Sequence, residues 1–186
     1  KKADIVILDD LEDCRAKTVV CGGKVIDDNL FSKVKRVSPI GLNSVKSQDL
    51  NKSDFITKDK IQSTNIIGVI EGKIITEHIL EDIPIIDGDK APDISRDLIR
   101  VSVIERHGKN NNIANGFVRG FGLKKGAVAS TVAHDHHNIV SIGVEYEDMA
   151  LACNRIKEID GGFVIASQGK IISELPLPIA GLMSLE

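Results

Sequence analysis

An α+β fold is predicted for this chain: a mostly antiparallel β-sheet domain with one long helix, preceded by a small β-piece. Three observations predict it. Short aliphatic and β-branched runs recur along the sequence, bounded by Gly, Asn, Asp and Pro, which is the pattern of strands and turns. Only one stretch, Tyr146 to Ile159, is strongly helical in its periodicity. The 42% hydrophobic content with only 3% aromatics calls for an aliphatic core, and 186 residues suffice for one such core or for one domain with a small appendage.

Ala3 to Leu8 is an apolar run stopped by Asp9-Asp10 and reads as a strand. Lys17 to Val25 is β-branched around Cys21-Gly22-Gly23, a hairpin signal. Residues 1–30 bury too little to stand alone and are expected to need a partner sheet. Residues 31–60 are polar, with Pro39-Ile-Gly41 inside them, and read as a linker or crossing segment with a domain boundary near 30–50. Residues 61–186 form the main domain. Thr64 to Ile70 and Lys73 to Ile79 flank Glu71-Gly72 as a hairpin, and Glu81 to Asp97, rich in Asp and Pro, reads as loop with room for a short turn of helix. Leu98 to Glu105 is a strand that places Ile99, Val101 and Val103 on a strongly apolar face and Leu98, Arg100, Ser102 and Ile104 on the other. Gly116 to Gly122 carries three glycines but lacks the strand, G-x-G-x-x-G spacing and helix of a phosphate-binding loop.

Gly126 to Ala133 and Ile139 to Val144 are two further strands. In the helix that follows, Met149, Ala152, Cys153, Ile156 and Ile159 share one stripe, which makes Cys153 a core residue. Gly161-Gly162 ends the helix. Phe163 to Ala166 and Lys170 to Ser173 make a last hairpin. Leu175-Pro-Leu-Pro-Ile-Ala-Gly-Leu182 is an apolar tail expected to pack on the body.

Bulk properties remove several classes of function. Net charge is −3, so no basic field invites nucleic acid. No run approaches the ~18 apolar residues of a membrane helix, and no signal peptide is visible. Three cysteines without C-x-x-C fit a reducing, cytoplasmic compartment better than a disulfide framework. The chain starts without Met and enters a strand by its fifth residue, so part of the protein is expected to be absent.

The chemistry-bearing stretch is Thr131-Val-Ala-His-Asp-His-His-Asn-Ile-Val140. It holds three of the five histidines, His134, His136 and His137, with Asp135 and Asn138, on a turn between two strands. Polar groups on a loop held by a rigid scaffold are a common way to build a site. On residues alone, a hydrogen-bonded turn is the commoner outcome. His134 and His136 have H-x-H spacing, but a metal site needs three or four ligands. Glu105-Arg106-His107-Gly108 ends the preceding strand, where an ion pair holding a strand terminus is as good a reading as a functional one.

Several of these stretches resemble the bacterial adenine deaminases of the amidohydrolase superfamily: Val103-Ile-Glu-Arg-His-Gly-Lys109, Gly116-Phe-Val-Arg-Gly-Phe-Gly-Leu123, Ala129 to Asp135 with His137-Asn138, and Leu175 to Ser184. They occur in the family's order and spacing. The opening Ala3 to Asp13 with Gly23-Lys-Val25 resembles the point where such chains leave the catalytic barrel and rejoin a small barrel-flanking β-domain. The resemblance implies hydrolytic deamination of adenine to hypoxanthine and ammonia. It places a divalent metal, manganese or iron, on a (β/α)8 barrel of roughly 250 residues upstream of Lys1, where metal-bound hydroxide attacks C6. No metal is expected in this fragment, which by itself is expected to be inactive. In the family's usual block, His-Asp-Ser-His-Asn, His136 replaces a Ser, so the resemblance argues against His136 as a ligand.

The expected site is a closing loop over the barrel mouth. His134 and Asp135 would bind the purine or handle a proton, with His137, Asn138, Glu105, Arg106 and His107 binding substrate or bracing the loop. The expected partners are adenine, the missing barrel and further copies of the chain. A non-catalytic dimerisation module and a small-molecule-binding α+β domain are the alternatives.

Overall fold

The computed structural model describes residues 2–32, 35 and 37–185. Lys33, Val34 and Arg36 of the predicted linker lie outside the described residues. The chain divides into two compact units, Lys1–Ser38 and Pro39–Glu186.

In the first unit, β1 (Ile5–Leu8) pairs antiparallel with β2 (Ala16–Cys21), which pairs with β3 (Lys24–Val25). The β2–β3 connection is the two-residue turn Gly22-Gly23, with φ of +58° and +81°. Two successive positive φ values suit the twist of a tight hairpin, and glycine reaches them without a Cβ penalty. The Asp4 carboxylate accepts the Gly22 N–H at 2.6 Å. One helical turn, α1 (Asp28–Ser32), follows. Ile5, Val6 and Ile7 remain about half exposed, so this sheet buries little apolar surface of its own.

The second unit is built on an eight-stranded sheet. Its strands are β4 (Ser63–Val69), β5 (Thr76–Asp82), β8 (Leu98–Ile104), β9 (Ile113–Arg119), β10 (Ala127–Ser130), β11 (Ile139–Gly143), β12 (Gly162–Ser167) and β13 (Lys170–Pro176). The short strands β6 (Ile85–Ile86) and β7 (Asp89–Lys90) pair outside it. The sheet order is β13-β12-β10-β11-β8-β9-β4-β5. Every neighbouring pair is antiparallel except β4 and β9, which are parallel.

The long helix α2 (Tyr146–Glu158) lies across β10, β11 and β12. Its stripe of Met149, Ala152, Cys153 and Ile156 is fully buried with Ala127, Ala129, Ile139, Val164 and Ala166. Small residues on the strands let the helix approach closely. Burial pushes the Cys153 thiol up to about 12, so it is an inert core group. Asp148 is buried at the helix start, and its carboxylate accepts the N–H groups of Gln168 and Gly169 at 2.9 and 2.8 Å. The helix thereby fixes the β12–β13 turn.

Several local expectations change in the fold. The Glu81–Asp97 stretch holds the end of β5, the β6–β7 hairpin and a 3₁₀ turn at Ile94–Arg96 started by Asp93, whose side chain accepts the Ser95 N–H at 3.0 Å. The glycine-rich stretch 116–122 forms the second half of β9 and runs past its end, where Gly120 and Gly122 take positive φ of +88° and +79°. Polar residues 44–55 are not simply solvated: Val45, Leu50 and Phe55 are buried in the α2 core. The Asn154 side chain holds both backbone groups of Leu50, accepting its N–H and donating to its C=O at 2.9 Å each. One side-chain amide thus substitutes for a strand partner, which hydropathy does not register.

Strand β8 also departs from the simple rule. Its more buried face is the one carrying Arg100 and Ser102, while Val101 and Val103 are only half-buried. Arg100 is fully buried and donates to Thr57 Oγ1 at 2.9 Å, Asp89 Oδ1 at 3.1 Å, the Lys90 carbonyl at 2.7 Å and Tyr146 Oη at 2.6 Å. Its guanidinium stacks 4.3 Å from the Phe117 ring centroid. Tyr146 donates to Asp89 Oδ2 at 2.6 Å. Burial and that bond push the phenol up to about 12, so it remains a donor throughout the physiological range. A buried cation is tolerated when paired and hydrogen-bonded.

Gly143 on β11 faces α2, and a Cβ there would lie 2.4 Å from Met149 Cγ and 2.9 Å from Ala127 Cβ. Gly143→Ala is therefore expected to destabilise the domain by about 1–3 kcal/mol through overpacking, read as a lower urea midpoint. Adding Met149→Ala should relieve the Met149 part of the clash and leave the approach to Ala127, so the two effects should be non-additive.

Candidate active-site loop

The sheet order brings the two sequence clusters together. Strand β11 lies between β10 and β8, with Ile139 opposite Ile104. The 131–138 turn that links β10 to β11 therefore emerges beside Glu105-Arg106-His107 at the end of β8.

The base of the turn is tightly held. Thr131 is buried; its hydroxyl donates to the Gly181 carbonyl at 2.6 Å and accepts the Gly162 N–H at 2.8 Å. The Ala133 carbonyl accepts the N–H groups of His136 and His137 at 3.2 and 2.7 Å. His137 has φ +53°, a left-handed conformation that closes the turn. His136 Nδ1 accepts the Asn138 N–H at 3.0 Å, so a neutral His136 carries its proton on Nε2. His107 Nε2 donates to the His136 carbonyl at 3.2 Å.

Arg106 is the clasp. Buried at 2% exposure, it donates from Nε to the His137 carbonyl, from NH1 to Ser44 Oγ at 2.9 Å and from NH2 to the Ala180 carbonyl at 2.8 Å. Three distant segments thus share one guanidinium. Gly181 passes so close, with φ +69°, that a Cβ would sit 2.8 Å from Arg106 NH1. Residues 177–182 of the proline-shaped tail are packed, while Leu175 stays exposed; this contact and the Thr131 bond hold the packed part.

Glu105 is a buried anion held by backbone. It accepts the N–H groups of His107 at 2.6 Å, Lys109 at 3.0 Å and Asn110 at 3.4 Å. Burial alone would raise its carboxyl, but these amides outweigh it and hold the group below the ordinary glutamate value of 4.5. It is an ionised buttress for the 107–110 loop. Beside it lies a cleft of about 230 Å³ lined by Val103, Glu105, Asn110, Asn112, Ala114 and Asn138. Asn138 Oδ1 is buried there without a donor.

Of the sequence-predicted residues, Glu105, Arg106, His107, His137 and Asn138 gather around the turn base. His134 and Asp135 form its tip, with side chains 93% and 83% exposed and paired to each other at 3.1 Å. A side-chain pair so exposed adds little stability. Ser44, Thr131, Asn110, Asn112 and the Ala180-Gly181 backbone belong to the assembly and were not singled out from sequence. Among them only Thr131 and the tail lay inside stretches marked as motifs. Among the described residues, no group of three or more His, Cys, Asp or Glu side chains is placed to hold a metal ion. Among them too, no helix is long and apolar enough to cross a membrane.

Removing the clasp strands two half-buried carbonyls and a half-buried hydroxyl. Arg106→Ala is expected to cost about 2–3 kcal/mol or more, measured by equilibrium unfolding. Because the folded-state carboxyl of Glu105 is depressed, its contribution is complete above the unfolded-state value and drains away as pH falls through the lower folded-state value. Stability should therefore drop below about pH 4.5, and Glu105→Gln should flatten that part of the pH–stability curve.

The family profile for the adenine deaminase C-terminal domain matches residues 73–186. The chain is 54% identical over 185 residues to an adenine deaminase of Sinorhizobium fredii, covering 100% of this chain and 33% of that protein. It is 52% identical to an adenine deaminase of Cereibacter sphaeroides, with the same coverage, and 55% identical to adenine deaminase 1 of Rhizobium johnstonii, of which it covers 32%. The chain thus spans about a third of the length of the curated relatives it matches. On the domain profile and the identity sustained along its whole length, this chain belongs to the adenine deaminase C-terminal domain family.

Proposed function

We propose that this chain is the C-terminal third of a hydrolase that converts adenine and water to hypoxanthine and ammonia. The observation that carries the reading is similarity to proteins named adenine deaminase along 100% of this chain. The reading includes cytoplasmic purine salvage or adenine catabolism, assembly into a homo-oligomer and a divalent metal, manganese or iron. Among the described residues, no group of three or more His, Cys, Asp or Glu side chains is placed to hold that metal.

The part assigned to this chain is a loop with a rigid base and a free tip. Arg106, Thr131 and Glu105 fix the base; His134 and Asp135 project from it, paired among the described residues with each other alone. Polar side chains held out on a braced turn suit a group that closes over a purine. Asp135 can accept a hydrogen bond from a purine N–H, and the ring nitrogens of His134 can donate to or accept from the base. Closure by such a loop would also exclude water from the reacting centre. Asn138 and His107 would line the inner side of the closed loop.

Asp135→Ala in the full-length enzyme is expected to lower kcat/KM for adenine by about 100-fold. The thermal midpoint should not move, because the side chain is solvated. An unchanged kcat/KM would reduce the turn to a structural element.

A further inference from the structure

We propose that the sheet face opposite α2 is the surface on which the remaining two thirds of the full-length protein docks. The strand register sets out this face. One row runs Ile165, Val128, Ile142, Val101 and Gly116 across five strands. The next runs Leu175, Phe163, Ser130, Val140, Val103 and Ala114 across six. The first row continues onto β13 at Ser173, so Ser130 and Ser173 are the polar side chains in these two rows, and none of the positions is charged.

An antiparallel sheet covered on one side and wet on the other alternates apolar and polar residues. This sheet does not alternate in that way. Its helix-side residues, such as Ala127, Ala129 and Val164, are fully buried, yet the residues between them are again aliphatic. Ile165, Phe163 and Leu175 are 42%, 39% and 53% exposed. A contiguous apolar surface of this kind marks an interaction site, and absence of charge is the compositional mark of an interface core.

Two observations select the occupant. The relatives are about three times as long as this chain, so most of the folded protein lies beyond it. The second row also ends on Val103 and Ala114, which line the cleft with Glu105 and Asn138. The apolar face is therefore continuous with the base of the 131–138 turn. One contact would cover the sheet and present the turn to the catalytic region. The identity of that region rests on the deaminase reading, but the need for cover does not.

The test places a cysteine on the face of the full-length protein, Ile165→Cys and, separately, Phe163→Cys. Maleimide labelling is then mapped by peptide mass, with buried Cys153 as a protected reference. Docking predicts labelling at least about tenfold slower than in the denatured protein, unchanged on dilution. Fast labelling of both variants with adenine turnover intact would overturn the docking and leave the deaminase reading standing. Protection lost on dilution together with a fall in sedimenting mass would give the face to a second copy and overturn it as well. Protection without any adenine turnover in the unsubstituted protein would remove the deaminase reading and uphold the docking.

Discussion

One buried guanidinium organises the end of this domain that carries the 131–138 turn. Arg106 reaches the His137 carbonyl, Ser44 and the Ala180 carbonyl, three segments that no strand ladder connects. A planar fork with several donors can satisfy distant acceptors at once, and a lysine could not. Once those acceptors are satisfied, the turn, the chain entering the domain and the C-terminal tail are held as one body. The exposed tip at His134 and Asp135 inherits its position from that arrangement.

The same device recurs deeper in the sheet. Arg100 ties β8 to the β6–β7 hairpin and to the first residue of α2, and Asp89 answers it from the other side. Asp148 and Asn154 do related work from the helix, one on the β12–β13 turn and one on the Leu50 backbone. Irregular segments in this protein are pinned by charged or amide side chains to backbone groups. The regular core is left to small and aliphatic residues between α2 and the strands. Such polar pinning is directional, so it specifies which loop lies where; burial of Ile or Val alone would not.

The division of labour fits a domain that serves a larger protein. Its helix side is complete, with Met149, Cys153 and Ile156 fully covered. Its opposite side is aliphatic and open, and its polar turn stands at the edge of that open side. A domain that worked alone would gain from charges on the second face; one that docks would lose affinity through them.

Much of the fold was legible from the residues. An alternating run marked β8, short aliphatic, small-residue and β-branched runs marked β4, β10, β11 and β12, the 3.6-residue stripe marked α2, and Gly22-Gly23 marked the first hairpin. These signals are local: each reflects side chains that point alternately or along one stripe. The histidine cluster and Glu105-Arg106-His107 were also visible as separate groups. The β6–β7 hairpin and the burial of Leu50 and Phe55 were not, because polar partners such as Asn154 satisfy their backbone from far away in sequence. Nor was the inverted burial of β8, where four acceptors from other elements make Arg100 a core residue. By itself the sequence determined the kind of elements, the family and the residues that carry polar chemistry. Only the tertiary structure decided that β11 lies beside β8, that Arg106 clasps the turn and that one aliphatic face stays open, since each of these depends on groups brought together by the sheet order.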